Sequence, residues 1–248
     1  MMWYYVNTGE NTGSFNMEFD VELVRGAEPD RTILRLYRWK PYCISLGANQ
    51  SMSEININKA INDGIDIVKR PTGGRAILHS EELTYSVIIP IKTNGSPRKV
   101  YQDLNIALMA GLRIYDNKLK DLQLEGMQPD LPAFYKKNLS AACFGIPAKS
   151  EIKYNGKKIV GSAQRKIGNI LLQHGSIMCG NNHVNLADYL NFNASEIISI
   201  KKELKRKTTE LETILDYKID YDKLSDSLVA GFETYFSVSM VREELILK

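Results

Sequence analysis

The pair Asn155-Gly156 constrains this chain more than any other feature. It lies between β-rich runs, and both residues tolerate the positive φ that a two-residue hairpin turn requires. A second turn at Gly168-Asn169 follows, so residues 151–178 read as a three-stranded meander. Other strands are expected at Trp3 to Val6, Thr32 to Trp39, Ile44 to Leu46 ending at Gly47, and Asp66 to Lys69 feeding a Pro-Thr-Gly-Gly turn. Ala76 to Ile89 is β-branched and aromatic on both sides of Ser80-Glu81-Glu82, which predicts a hairpin or two consecutive strands.

Helices punctuate these strands. Asn16 to Val24 is stopped by Gly26, and Ser53 to Asp63 by Gly64. Pro97 to Tyr115 places Val100, Leu104, Ala107, Leu108 and Leu112 on one face. From Asn185 onward the chain reads as largely helical, with Thr209 and Glu212 at capping-box spacing. Strands mixed with helices, then a helical tail, predict an α+β fold. A composition shift near residue 185 divides the chain into 1–184 and a helical C-terminal extension, 185–248, packed on it.

The chain has 248 residues, 44% hydrophobic and 25% charged, enough to bury a sizeable core. A net charge of +3 is too small to argue for nucleic acid and leaves some basic surface for an acidic partner. Cys43, Cys143 and Cys179 form no CxxC pair, and His79, His174 and His183 complete no metal-ligand spacing, so no metal is expected. Sparse, odd thiols suit a reducing compartment. The N-terminus MMWYYVNTGE has no basic n-region and no long apolar stretch. No run approaches the ~18 apolar residues of a membrane span, so the expectation is a cytoplasmic protein without a membrane partner.

Four segments carry chemistry. In KRPTGGRAILHS, Gly73 and Gly74 let the backbone approach a ligand closely, and Arg70 and Arg75 add fixed positive charge suited to an anionic or carbonyl-bearing group. The competing reading is a plain surface turn. In YNGKKIVGSAQRK, Lys158 precedes the small run Gly161-Ser162-Ala163, which leaves room for something to lie across the strand. A lysine there can polarise a carbonyl or stabilise a thiolate; equally, Lys157 and Lys158 can be solvated hairpin lysines. LLQHGSIM sets His174 beside Gly175 in an apolar strand, a position for a hydrogen-bonded structural residue more than for a base. Cys143 lies in the small-residue stretch SAACFGIPAKSEI, where a thiol can stay accessible and a nearby cation can lower its pKa. A lone cysteine can as well be buried and inert.

Taken in order, NMEFD, ISLGANQ, KRPTGGRAILH, NGKKIVGSAQR and QHGSI resemble the lipoate–protein ligase, octanoyltransferase and biotin–protein ligase superfamily, from Trp3 to about Leu190. The resemblance implies a central mixed β-sheet flanked by helices, as in the class II synthetase and biotin–lipoate ligase fold, with 1–184 as the catalytic domain. ATP-dependent ligases of this kind carry three consecutive glycines where this chain has Gly73-Gly74-Arg75, and an Arg-Asn-Asp stretch where it has Ala142-Cys143-Phe144. The chain looks most like the cysteine-dependent octanoyltransferases that draw on acyl carrier protein. Their Pro-Ser-x-Tyr-Glu-Ile stands here as Pro147-Ala148-Lys149-Ser150-Glu151-Ile152.

That resemblance implies an acyl transfer through Cys143, without a cofactor, from octanoyl-acyl carrier protein to a lysine of a lipoyl-carrier protein, either the glycine-cleavage H protein or a 2-oxoacid dehydrogenase lipoyl domain. Lys158 would favour the thiolate and polarise the acyl carbonyl, and backbone amides near Gly161 and Ser162 would hold the oxyanion. Arg75 and His79 would line the entrance, and an apolar tunnel would read chain length at ~0.8 kcal/mol per methylene. Cys179, in a Cys-Gly pair, competes with Cys143 for the nucleophile's place. Three further readings stand beside this one: an ATP-using lipoate–protein ligase, octanoyl exchange between lipoyl domains, and a binding module without chemistry. The basic run Lys201 to Lys207 reads either as a surface for acidic carriers or as a solvated helix face.

Overall fold

The computed structural model describes residues 2–91, 95–126 and 150–243. The chain runs β1 (Met2–Asn11), α1 (Gly13–Arg25), β2 (Arg31–Trp39), β3 (Cys43–Leu46), α2 (Ile57–Asn62), β4 (Asp66–Lys69), β5 (Ile77–His79), β6 (Glu82–Pro90) and α3 (Pro97–Tyr115). After these come β7 (Gln123–Leu124), β8 (Ile152–Tyr154), β9 (Lys157–Lys158), β10 (Val160–Ile167) and β11 (Ile170–Met178). The C-terminal part holds α4 (Ala194–Lys207), α5 (Leu211–Leu215), α6 (Tyr221–Phe236) and β12 (Met240–Arg242). Short 3-10 turns occupy Met52–Glu54, Asn117–Asp121 and Asn182–Tyr189.

The main sheet is mixed, in the order β10-β11-β6-β2-β1-β12. β1 pairs in parallel with β2 and β12, and the remaining neighbours are antiparallel. Strand alternation gives this sheet two different faces. Leu83, Tyr85, Val87 and Ile89 of β6 face α3 and α6, where they join Leu104, Leu108, Leu228 and Phe232 in one core. The intervening Thr84 and Ser86 are buried on the opposite face, under α1. Register carries the polar row across the sheet: Ala163 lies opposite His174, His174 opposite Ser86, and Ser86 opposite Arg35. A second sheet, β4-β3-β5, and a small one, β7-β8-β9, flank this arrangement.

The α3 prediction matches the observed bounds, because Ser96 caps the helix and Pro97 starts it. Several local expectations change. The Ser53–Asp63 helix splits into a 3-10 turn and α2, since Asn56 caps a new start. Residues 76–89 form two consecutive strands that enter different sheets. The meander is two hairpins: β8-β9 turns at Asn155-Gly156 in the small sheet, whereas β10-β11 turns at Gly168-Asn169 in the main one. Lys158 breaks the continuity, because its backbone turns to bridge Thr208. Thr209 and Glu212 form no capping box: Glu210 is the cap residue of α5, without a side-chain bond, and the box forms at Asn193 and Glu196 of α4. The helical tail also contains a strand, β12, which extends the main sheet beside β1. The tail's α6 packs on α3 so closely that a Cβ on Gly231 would collide with the backbone of Gly111. Among the described residues no helix is long and apolar enough to cross a membrane.

Candidate active site

The site grows from a helix whose buried face is partly polar. α1 starts at a Thr12 cap and buries Gly13, Asn16, Met17, Asp20 and Val24, the spacing of one helical face. Asp20 and Arg35 are both fully buried and paired at 2.7 Å. Ser86 Oγ donates to Asp20 at 2.8 Å, and Tyr37 to its other oxygen at 3.3 Å. Arg35 also donates to the Asn16 carbonyl and side chain, at 3.0 and 2.6 Å, and lies over the Tyr37 ring.

From Asp20 the network reaches His174, whose Nδ1 lies 3.5 Å from Asp20 Oδ2 and whose Nε2 lies 2.5 Å from Thr72 Oγ1. Burial holds the His174 ring below the usual imidazole pKa, against the opposing pull of Asp20. Burial alone would raise Asp20; hydrogen bonding to His174 and the Arg35 charge outweigh it and hold the carboxyl below its ordinary value. A neutral His174 beside a charged Asp20 therefore donates from Nδ1 and accepts from Thr72 at Nε2.

A parallel relay stands on β5 and β6. His79 Nδ1 meets Glu82 Oε1 at 2.8 Å, and His79 Nε2 meets Ser45 Oγ at 2.7 Å. The ring stacks on Trp39 at 4.0 Å between centroids, 13° from parallel. Burial would raise Glu82, but the His79 charge and hydrogen bonds outweigh it and lower its pKa.

Both histidines line one narrow cavity, with Met17, Tyr37, Trp39 and Ile77 as apolar wall. Arg70, His79, Gly161, Ser162, Ala163 and His174 of the predicted site all line it. Arg70 also has a structural duty. It is buried, and its guanidinium donates to the carbonyls of Ser45, Gly73 and Arg75 at 2.7–3.2 Å, so it braces the loop from behind. Gly73, Gly74 and Arg75 shape that loop without lining the cavity. Gly74 has φ +96°, and a Cβ on Gly47 would strike the Gly74 carbonyl, so two glycines let the two turns touch. Arg75 pairs with Glu54 at 3.2 Å.

Lys158 is no solvated hairpin lysine. It is buried and holds Glu151 at 2.7 Å, while Lys157 is exposed. Glu151 was missed as a partner because its motif places it across a hairpin from the lysine. Cys143 lies outside the described residues. Cys43 and Cys179 are both fully buried, and burial raises each thiol well above the ordinary range, so neither is a ready nucleophile. Sequence reasoning also missed Asp20, Arg35, Ser45, Thr72 and Glu82. The available signal was Asn16 and Asp20 at i, i+4 on an otherwise apolar helix face.

A mixed sheet with helices on both faces, a cavity under α1 and a buried lysine on a flanking hairpin make up the fold and site, the fold of the lipoate–protein ligases. Residues 12–233 match the lipoyl protein ligase A/B catalytic domain, and the chain belongs to that family. It is 32% identical to octanoyltransferase LipM of Lysinibacillus sphaericus over 96% of this chain and 87% of that protein. It is likewise 32% identical to octanoyltransferase LipM of Clostridioides difficile, over 98% and 90%. Among solved structures it superposes on lipoate-protein ligase A bound with ATP at a TM-score of 0.79 and 19% identity, covering 99% of this chain and 90% of that one, a likeness of fold.

Proposed function

We propose that this chain is a protein N-octanoyltransferase of lipoate assembly, which takes octanoyl from acyl carrier protein through a thioester on Cys143. The observation that carries the reading is near full-length identity of about 30% to several octanoyltransferases named LipM. The site's chemistry supports it. The cavity's hydroxyls, imidazoles and carboxylates bond to one another, so an alkyl chain entering it leaves no buried polar group newly unpaired. Burial of Cys43 and Cys179 weighs against either as the nucleophile and so supports the choice of Cys143.

Cys143 Sγ, as thiolate, attacks the carbonyl carbon of the donor thioester; the carrier's thiol leaves and takes up the proton. The amine of a lipoyl-carrier lysine then attacks the enzyme thioester, loses a proton and ends as an amide, while Cys143 returns as thiolate. The Lys158 ammonium, oriented by Glu151, polarises the acyl carbonyl in both steps. The reaction consumes no nucleotide, and a reducing, cytoplasmic setting keeps the thiol available.

Transfer assays separate this reading from the ligase. With octanoyl-acyl carrier protein and an apo lipoyl-carrier protein, product forms without ATP, and Lys158→Ala lowers the rate by about 10²-fold or more. Product that requires ATP and free octanoate would establish the ligase instead.

A further inference from the structure

The α4 helix carries a surface that the transfer chemistry leaves unassigned. Ile198, Lys201, Lys202 and Lys205 follow i, i+3, i+4, i+7 spacing and share one side of the helix. Ile198 is 68% exposed, an apolar residue of a size that a helix against the core would bury. Beside it opens a groove of about 300 Å³, lined by Lys157, Lys201, Lys205, Thr208 and Glu210. Lys201 is matched by Asp188 at 2.6 Å, and Glu203 is held by Arg206 and Lys207. Among the described residues Lys202 and Lys205 pair with no carboxylate, so the surface has surplus positive charge around an exposed isoleucine.

The surface is fastened to the reacting strand. Lys157 Nζ donates to the Lys205 carbonyl at 3.2 Å, Thr208 bridges Lys158, and Thr209 N donates to the Lys158 carbonyl at 3.0 Å. The groove and the acyl cavity share no lining residue. A partner seated in the groove therefore covers no wall of the cavity, and the acyl group has to pass from one to the other. An acceptor lysine on a domain surface does not suit that separation, whereas an acyl group carried on a long flexible arm does.

We infer that the Ile198, Lys202 and Lys205 face of α4, with the adjoining groove, docks the acidic acyl donor carrier, whose arm then delivers the thioester past Lys158. This rests on the proposed transferase activity. The partner's carboxylates meet the unpaired lysines, and an apolar side chain covers Ile198; such pairs govern capture and its salt dependence.

The test is a steady-state comparison of the intact enzyme with an Ile198→Ser/Lys202→Glu/Lys205→Glu variant, and with Lys202→Gln/Lys205→Gln, all at exposed positions. For octanoyl-acyl carrier protein as donor, KM rises about tenfold or more in the charge-reversed variant and less in the neutral one, with kcat held. The wild type's salt dependence flattens in both. Turnover of octanoyl-N-acetylcysteamine, a small thioester without a carrier, is unchanged. An unchanged carrier KM overturns the inference, and so does a rise confined to the KM of the acceptor lipoyl protein. If the wild type uses neither thioester, the transferase reading has failed, and calorimetric titration with the carrier judges docking alone. Equal binding by wild type and variant, or none by either, then overturns it.

Discussion

Removing the Asp20 carboxylate tests the buried framework of the site. Asp20→Ala leaves Arg35 charged and fully buried without its ion partner, and takes an acceptor from Ser86, Tyr37 and His174. Breaking a buried pair in this way costs about 3–5 kcal/mol. The lower end is expected here, because Arg35 keeps both oxygens of Asn16 and the Thr8 hydroxyl. In urea, with a slope of about 2–3 kcal/mol per molar, the unfolding midpoint falls by about 1–2 M. Replacing both residues by apolar ones, Asp20→Leu with Arg35→Met, costs less than the sum of the two single changes, because no charge is left stranded. The pH dependence has a definite sign. Asp20 titrates lower in the folded chain than in the unfolded one, so its contribution is complete above the unfolded value of ~3.9 and disappears as pH falls through the lower folded value. The gap between wild type and Asp20→Ala therefore narrows only in acid, below about pH 4. A midpoint shift worth under about 1 kcal/mol, or strict additivity in the double variant, refutes the reasoning.

His174 and His183 are held neutral by burial, so the unfolded chain binds protons that the folded chain refuses as pH drops below ~6.5. Urea midpoints measured from pH 7.5 to 5 should fall for the wild type, and fall less steeply for His174→Gln. Gly231→Ala should cost about 1–3 kcal/mol by forcing α6 away from Gly111 of α3, read as a lowered midpoint of thermal unfolding; a neutral result would mean the crossing can open without penalty.

The elements most legible in the sequence were those whose local signals agreed. α3 has its cap, its proline and its apolar stripe in register, and both Gly-containing turns form where expected. What stayed hidden depends on distant partners. Whether Ile77–His79 and Glu82–Pro90 pair with each other or enter separate sheets is decided by β3 and β2, far away in sequence. β12 spans three residues and exists because β1 offers it an edge. In the site, the Gly-Gly-Arg loop and the histidines could be named from sequence, but their duties could not. Arg70 lines the cavity, but that Gly73, Ser45 and Arg75 also hold it is visible only in the structure. Asp20 reads as a solvent residue of an amphipathic helix until Arg35, about 50 Å of fully extended chain further on, comes to rest beneath it.

The proposed transfer route stands on the thiol of Cys143. Mixing the intact protein with octanoyl-acyl carrier protein, in the absence of ATP and acceptor, and weighing it by intact-mass spectrometry tests that claim most directly. The mass should rise by one octanoyl group, the gain should localise to Cys143 on peptide mapping, and addition of an apo lipoyl-carrier protein should discharge it. Cys143→Ala should show no adduct, while Cys179→Ala, although less stable, should acquire it as the wild type does. An adduct on Cys179, or efficient transfer to the lipoyl protein by Cys143→Ala, would contradict the thioester route.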